Sequence, residues 1–310
     1  MTTRTRTASA ISLTLPATSA NLGPAFDAAA LALSMFLRAH ARPADDFSII
    51  ARGRDSEICS RVEDHLILTT YREVLTDQDK AIRPLALRIN NEIPIGKGCG
   101  SSAAARLAGI ALAVHFGKLP WNHRQIIGEA SRREHHPDNA AACWMGGLTV
   151  ARMVEQDEAL TAQIQPRGKW PLLLAVPNEA LPTEQARGVL PAHYSRADAV
   201  NNIQNAMLLL AAFTQGRHDL LAAALEDRIH QPYRSTLCPL LPALEELRGT
   251  KGLLGAVLSG AGPSVLLFLD PKVNAEMTRS RIRRHLRDHR LEAELLVTQI
   301  TKRGPAHQWR

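Results

Sequence analysis

Eleven residues, Pro94 to Ala104, read PIGKGCGSSAA, and their order suits one chemical task. Glycine at positions 96, 98 and 100 removes the Cβ atoms that would hold the backbone away from a ligand. Ser101 and Ser102 then open an Ala/Leu-rich helix. Its first N–H groups lack intrahelical partners and lie at the positive end of the helix dipole, an arrangement that takes a phosphate. The serine hydroxyls add donors or an oxygen ligand for magnesium. The run is not a Walker A loop, since no Gly-Lys-Ser/Thr follows a glycine at the required distance, and it is not GxGxxG. Pro94, Ile95, Gly96, Lys97, Gly98, Cys99, Gly100, Ser101, Ser102, Ala103 and Ala104 form the candidate phosphate-binding segment. The competing reading is a tight strand-to-helix turn with no ligand.

The elements around this loop follow from periodicity and punctuation. Ile11–Leu15 alternates and predicts a strand stopped by Pro16; Phe47–Ala51 and Leu85–Ile89 predict two more. Helices are expected over 65–75 with Asp64 as N-cap, 101–116 ended by Gly117, and 123–134. Strands follow at 148–153 and 171–176. In the second half Ser195 caps a long helix through Thr214, with shorter helices at 219–227 and 240–247. Two apolar strands, 253–259 and 264–269, are joined by Gly-Ala-Gly-Pro in a hairpin-like connection. A basic helix and a strand at 294–300 complete the chain, and residues past Arg303 are expected to fray. Strands and helices mix without regular βαβ alternation, so the expected class is α+β in two lobes. The composition breaks weakly around Glu155 to Lys169.

With 310 residues, 45% apolar and 22% charged, the chain has the makings of one large or two modest packed domains rather than a disordered segment. No apolar run approaches the length that spans a bilayer, so no membrane partner is expected. The start, MTTRTRTASA, lacks a secretory core. Cys59, Cys99, Cys143 and Cys238 lie far apart with no CxxC and no Cys/His metal spacing. Free thiols, a reducing, cytoplasmic location and no structural zinc are expected. The net charge is +7, but residues 271–310 hold ten Lys/Arg against four acids, so the rest is nearly neutral. That basic run reads as the wet face of a helix. A nucleic-acid surface is the alternative, and 4% aromatics set apart from the run argue against base stacking.

The loop resembles the phosphate loop of the GHMP small-molecule kinases. Leu15 to Leu33 (LPATSANLGPAFDAAALAL) and Leu258 to Phe268 (LSGAGPSVLLF) resemble two further motifs of that superfamily, in the expected order. PATSANLGP with Asp27, HPDN at 136–139, LPTEQARGVLP around Arg187 and HQPYR ending at Arg234 are similar to its homoserine kinase family. The resemblance implies the GHMP fold, an N-terminal α/β nucleotide-binding lobe (1–165) and a C-terminal ferredoxin-like α+β lobe (166–310). It implies ATP and Mg2+ as cofactors, L-homoserine as the small-molecule substrate, a phosphorylation on the route to threonine, and a homodimer.

By the same resemblance, Arg187 and Arg234 take the substrate carboxylate, for which a planar two-donor fork is suited. Asp138 takes the ammonium, and Asn21 and Asp27 line the hydroxyl and amino end. Ser102 and Glu129 hold the metal, with Glu134 the competing carboxylate. Asp138 and Asn139 stand where some relatives keep a catalytic base, His136 contacts substrate or fills a turn, and Gly260 of the third motif approaches the pocket. The Thr183 hydroxyl faces the site or caps the following helix. Ala25, Ala30, Cys99, His135 and the NAAACW run depart from the family pattern. They leave open a diverged kinase for another small hydroxylated amino acid or alcohol.

Overall fold

The computed structural model describes residues 10–154 and 158–307. The start of the chain, discussed above for its lack of a secretory core, lies outside the described residues save for Ala10. β1 (Ile11–Asn21) and β2 (Ala25–Pro43) form a long antiparallel pair, with β3 (Ser48–Gly53) close behind. Short α1 (Ser56–Cys59) and α2 (Leu66–Asp77) precede β4 (Leu85–Asn91). Three helices follow in succession, α3 (Ser101–Gly117), α4 (His123–Glu134) and α5 (Asp138–Met145). The hairpin β5 (Leu148–Val154) and β6 (Glu158–Ile164) ends this half. The first sheet runs β3-β4-β2-β5-β6, with β1 on β2.

A second sheet, β10-β7-β9-β8, is antiparallel throughout. Its strands are β7 (Leu172–Val176), β8 (Leu253–Leu258), β9 (Val265–Leu269) and β10 (Glu294–Thr298). Between β7 and β8 lie α6 (Thr183–Gly188), α7 (Arg196–Gln215), α8 (Leu221–Ala224), α9 (Gln231–Arg234) and α10 (Leu240–Glu245). The basic segment is α11 (Ala275–Asp288), which buries Thr278, Ile282 and Leu286 and turns its arginines outward. No helix among the described residues is long and apolar enough to cross a membrane.

Four sequence expectations are corrected. Pro16 does not stop β1: the strand passes through it with a register shift at Pro16/Ala17, the bulge absorbing the lost donor. Leu15 to Leu33, read as a motif, contains most of a β-arch whose long second strand was not anticipated. The weak composition break at 155–169 is partly a strand, β6; residues 155–157 lie outside the described residues. The tail does not fray at once, because Gly304 and Pro305 are buried and the Gly304 amide donates to the Met145 carbonyl (3.3 Å). Residues 308–310 lie outside the described residues.

α3 carries the phosphate loop, and it is held by being apolar on every side. Ala103, Ala104, Leu107, Ala108, Ile110 to Val114 and Phe116 are all buried. Gly109 lets α2 lie directly on it, since a Cβ there would stand 2.5 Å from the Ile67 carbonyl oxygen and 2.7 Å from Thr70 Cβ. Gly109→Val is therefore expected to lower the unfolding free energy by about 2–3 kcal/mol through overpacking, measured by urea denaturation. An unchanged midpoint would show that the two helices are not locked at this point.

Candidate active site

The loop between β4 and α3 is shaped by three glycines at φ of about 70–74°. A Cβ on Gly98 would fall on the Ser259 carbonyl oxygen and lie 2.6 Å from that of Gly262; one on Gly100 would strike the Thr18 hydroxyl. Backbone thus meets backbone without intervening side chains. Ser259 Oγ donates to the Gly98 carbonyl (2.7 Å), Thr18 N to the Cys99 carbonyl (3.0 Å), and Thr18 Oγ1 to Asn139 Oδ1 (2.5 Å). The β1 end joins the same point, where Asn21 Nδ2 donates to the Gly260 carbonyl (2.9 Å) and Gly260 N to that of Ala20 (3.1 Å). Gly100 caps α3 with no side-chain hydrogen bond, so the helix presents its first amides to the cavity alongside Ser101 and Ser102. Cys99 is buried, which pushes its thiol up to about 12 and leaves it inert.

The same cavity is lined by Arg187, Arg234, Asp27, Asp138, His136 and Thr183. Arg187 makes a two-pronged pair with Asp27 (2.8 and 3.1 Å). Arg234 is 1% exposed and donates to the Ala186 carbonyl (3.0 Å), to His230 Nδ1 (3.2 Å) and, at 3.5 Å, to the Gly260 carbonyl. Among the described residues no carboxylate is hydrogen-bonded to it. Burial, and then the Arg187 charge, pull its pKa below the ordinary arginine value. Burial takes His230 down to about 4, so its ring is neutral; with Nε2 donating to the Gly23 carbonyl (2.8 Å), Nδ1 is left to accept from Arg234. Phe26 lies between the two guanidinium groups, 5.6 Å from Arg187 Cζ and 5.3 Å from Arg234 Cζ.

Glu129 does not reach the loop. Its carboxylate is taken by Arg132 (2.9 and 3.0 Å) and Arg133 (2.6 Å) on the far side of α4. Glu134 faces Ser102 instead, accepting from its hydroxyl at 2.5 Å and from Arg106 Nε at 2.6 Å. Five residues along an α-helix turn a side chain by roughly 140°, so only one of the two glutamates can face α3. The other residues of the resemblance come together around the cavity: Asn21, Asp27, His136, Asp138, Asn139, Thr183, Arg187, Arg234, Gly260 and, from the loop, Gly96 and residues 98–102. Thr183 lines the cavity at the first position of α6, and the N-cap of that helix is Pro182. Pro94, Ile95, Lys97, Ala103 and Ala104 support the loop without lining the cavity; Lys97 Nζ bonds the Asn178 carbonyl. Thr18, Phe26, Arg106 and His230 were missed, the first three because nothing local marks a residue that acts by packing against a distant segment.

An amide cradle beside paired cationic and anionic side chains defines a small-molecule kinase site. The GHMP kinases N terminal domain model matches residues 65–147, and the GHMP kinases C terminal model matches residues 209–288. A homoserine kinase of Solibacter usitatus is 46% identical over 259 residues, covering 83% of this chain and 84% of its own. One from Synechocystis sp. is 38% identical over 296 residues, covering 94% and 96%. The crystal structure of a homoserine kinase from Cytophaga hutchinsonii superposes with a TM-score of 0.79 at 20% identity over 98% of each chain, a likeness of fold. The chain belongs to the homoserine kinase family of the GHMP kinases.

His136 offers a direct probe of the site's charge. Burial lowers its pKa, but the hydrogen bond that His136 Nδ1 donates to Asp138 Oδ1 (2.6 Å), with the charges of Asp138 and Asp27, outweighs burial and holds the pKa above the ordinary histidine value. Its contribution to stability is therefore full below about pH 6.5 and is lost as pH rises through the folded value. NMR titration should find the ring titrating above the ordinary value, and below it in Asp138→Asn, where burial acts with the opposing carboxylate removed. The same value in both proteins would show that the pair does not form.

Proposed function

We propose that this protein transfers the terminal phosphoryl group of ATP to the side-chain hydroxyl of L-homoserine, giving O-phospho-L-homoserine and ADP in amino-acid biosynthesis. The observation that carries the reading is the presence, in one cavity, of the glycine loop with the start of α3 and of two arginines, one of them, Arg234, buried with no carboxylate hydrogen-bonded to it. An α-amino acid brings a carboxylate next to an ammonium. Arg234 and Arg187 offer donors to the first, and Asp27 and Asp138 offer acceptors to the second. A neutral sugar or a hydroxy acid without an amine would leave part of this set unpaired, which a buried site penalises.

The loop and the start of α3 take the phosphates, with amides, dipole and the Ser101 and Ser102 hydroxyls all favouring negative charge. Asn139 is held by Thr18 and Asp138 by His136, so both are fixed in orientation before substrate arrives. Transfer of a phosphoryl group depends on alignment and charge neutralisation, and Asp138 serves by orienting the hydroxyl and amino end rather than as an obligatory strong base. The donors facing the loop at Ser102 and Glu134 are both oxygens, which suits Mg2+. Bound there, magnesium would neutralise charge on the phosphates, with Arg106 holding the Glu134 carboxylate in place.

Purified protein supplied with ATP, Mg2+ and L-homoserine should yield the phosphate ester, detected by phosphorus NMR; ATP binding without transfer would overturn the assignment. Glu134→Gln should lower kcat by roughly 100-fold, as loss of one electrostatic contact in the transition state does, while Glu129→Gln leaves it nearly unchanged. The reverse order would return the metal to Glu129. Arg234→Leu should cost about 2–5 kcal/mol in kcat/KM for homoserine, carried mainly by KM. A KM close to that of the unaltered enzyme would remove Arg234 from the carboxylate site.

A further inference from the structure

Far from the kinase cavity, the end of α11 meets the end of α10 through three side chains that the reaction does not use. His285 and His289 stand one turn apart on α11, their ring centroids 4.2 Å apart. Glu246, just past α10, places Oε2 3.0 Å from His289 Nε2 and 3.6 Å from His285 Nε2. Ligand atoms of all three lie within 4.8 Å of one another. A tetrahedral ion bound at about 2.0–2.2 Å to nitrogen and oxygen holds its ligand atoms roughly 3.3 Å apart, between the two distances found here.

The hydrogen bond that His289 makes to the backbone points the same way. His289 Nδ1 lies 3.0 Å from the His285 carbonyl oxygen, so Nδ1 carries the proton and Nε2 of the neutral ring carries a lone pair. That lone pair faces a carboxylate oxygen. Two acceptors at 3.0 Å repel unless a cation stands with them, either a proton on the imidazole or a metal ion. A ring nitrogen bonded to a backbone carbonyl while its opposite nitrogen is aimed at a shared point is the outer support found around metal-bound histidines. The carbonyls at the C-terminal end of α11 add negative potential for a cation, against the exposed arginines of the same helix.

We propose that His285, His289 and Glu246 form a binding site for a borderline d-block divalent cation of the Zn2+ class, which clips α10 to α11. Two imidazoles and one carboxylate select such an ion over Mg2+, which prefers an all-oxygen octahedron. Binding replaces the His285 Nε2 hydrogen bond to the Ala243 carbonyl (2.7 Å). The absence of cysteine-based metal spacing argued against structural zinc; the histidine pair acquires its third ligand only through the contact of two helices.

Chelator-treated protein titrated with Co2+ should show one equivalent of ion with visible d–d absorption of a four-coordinate site, displaced by Zn2+ and unaffected by excess Mg2+. His289→Ala and Glu246→Gln, both substitutions of partly exposed side chains, should abolish that absorption while leaving kinase activity with Mg2+ unchanged. The proposal is overturned if the full-length protein gives no such absorption, or if both variants bind Co2+ as tightly as the unaltered chain. A signal lost instead in Asp138→Asn would assign the ion to the kinase cavity and equally overturn it.

Discussion

Three chain segments meet at the phosphate loop with almost no side chain between them. The Gly98 backbone lies against the carbonyls of Ser259 and Gly262, the Gly260 amide reaches the Ala20 carbonyl, and Ser259 Oγ closes on the Gly98 carbonyl. A cradle built this way is as stiff as the backbones that form it, because there are no rotamers to relax. Its position is shared by β1 of the first sheet and the β8–β9 turn of the second, so the glycine loop and the second sheet's contribution to the cavity are placed by one joint. The free amides of α3 then face a cleft whose other wall carries the arginines.

The charge pattern in that wall is costly to maintain without a ligand. Arg234 is buried against carbonyl oxygens and a neutral imidazole, with Arg187 as a like-charged neighbour. Asp27 pairs directly with Arg187, whereas Arg234 feels Asp27 and Asp227 only through space and has no carboxylate hydrogen-bonded to it. A buried guanidinium lacking a hydrogen-bonded carboxylate is a standing demand for an anion. Its surroundings, Phe26 and His230, exclude water and keep that demand strong. The neighbouring Asp27 and Asp138 carboxylates make the demand specific, since an anion that also carries an ammonium satisfies both.

Much of this was legible in the sequence where chemistry is local. Glycine spacing, two serines at a helix start and the apolar strands of the second half are short-range signals. They placed α3, α4, α7 and the β8–β9 pair close to where they lie. What escaped depends on distance along the chain. β2 reads as an apolar run over Ala29 to Leu33 because both of its faces are buried there, and it alternates from Ser34 to Ala41. Glu134 and Glu129 are alike as residues and differ only in which face of α4 meets α3. A glutamate in a last helical turn opposes the helix dipole, and that local conflict was the signal available for preferring Glu134. Phe26 acts on Arg234 across the fold, and no spacing announces it, whereas His230 stands one helical turn before Arg234 in the HQPYR run.

The measurement that bears most directly on the joint between cradle and arginines is a crystal structure with a non-hydrolysable ATP analogue and L-homoserine bound together. The account requires the terminal phosphates on the amides of residues 98–103. It also requires the substrate carboxylate within hydrogen-bond reach of Arg187 and Arg234, with the hydroxyl turned toward the terminal phosphorus. A homoserine carboxylate bound away from both guanidinium groups, or phosphates seated outside the loop, would contradict it.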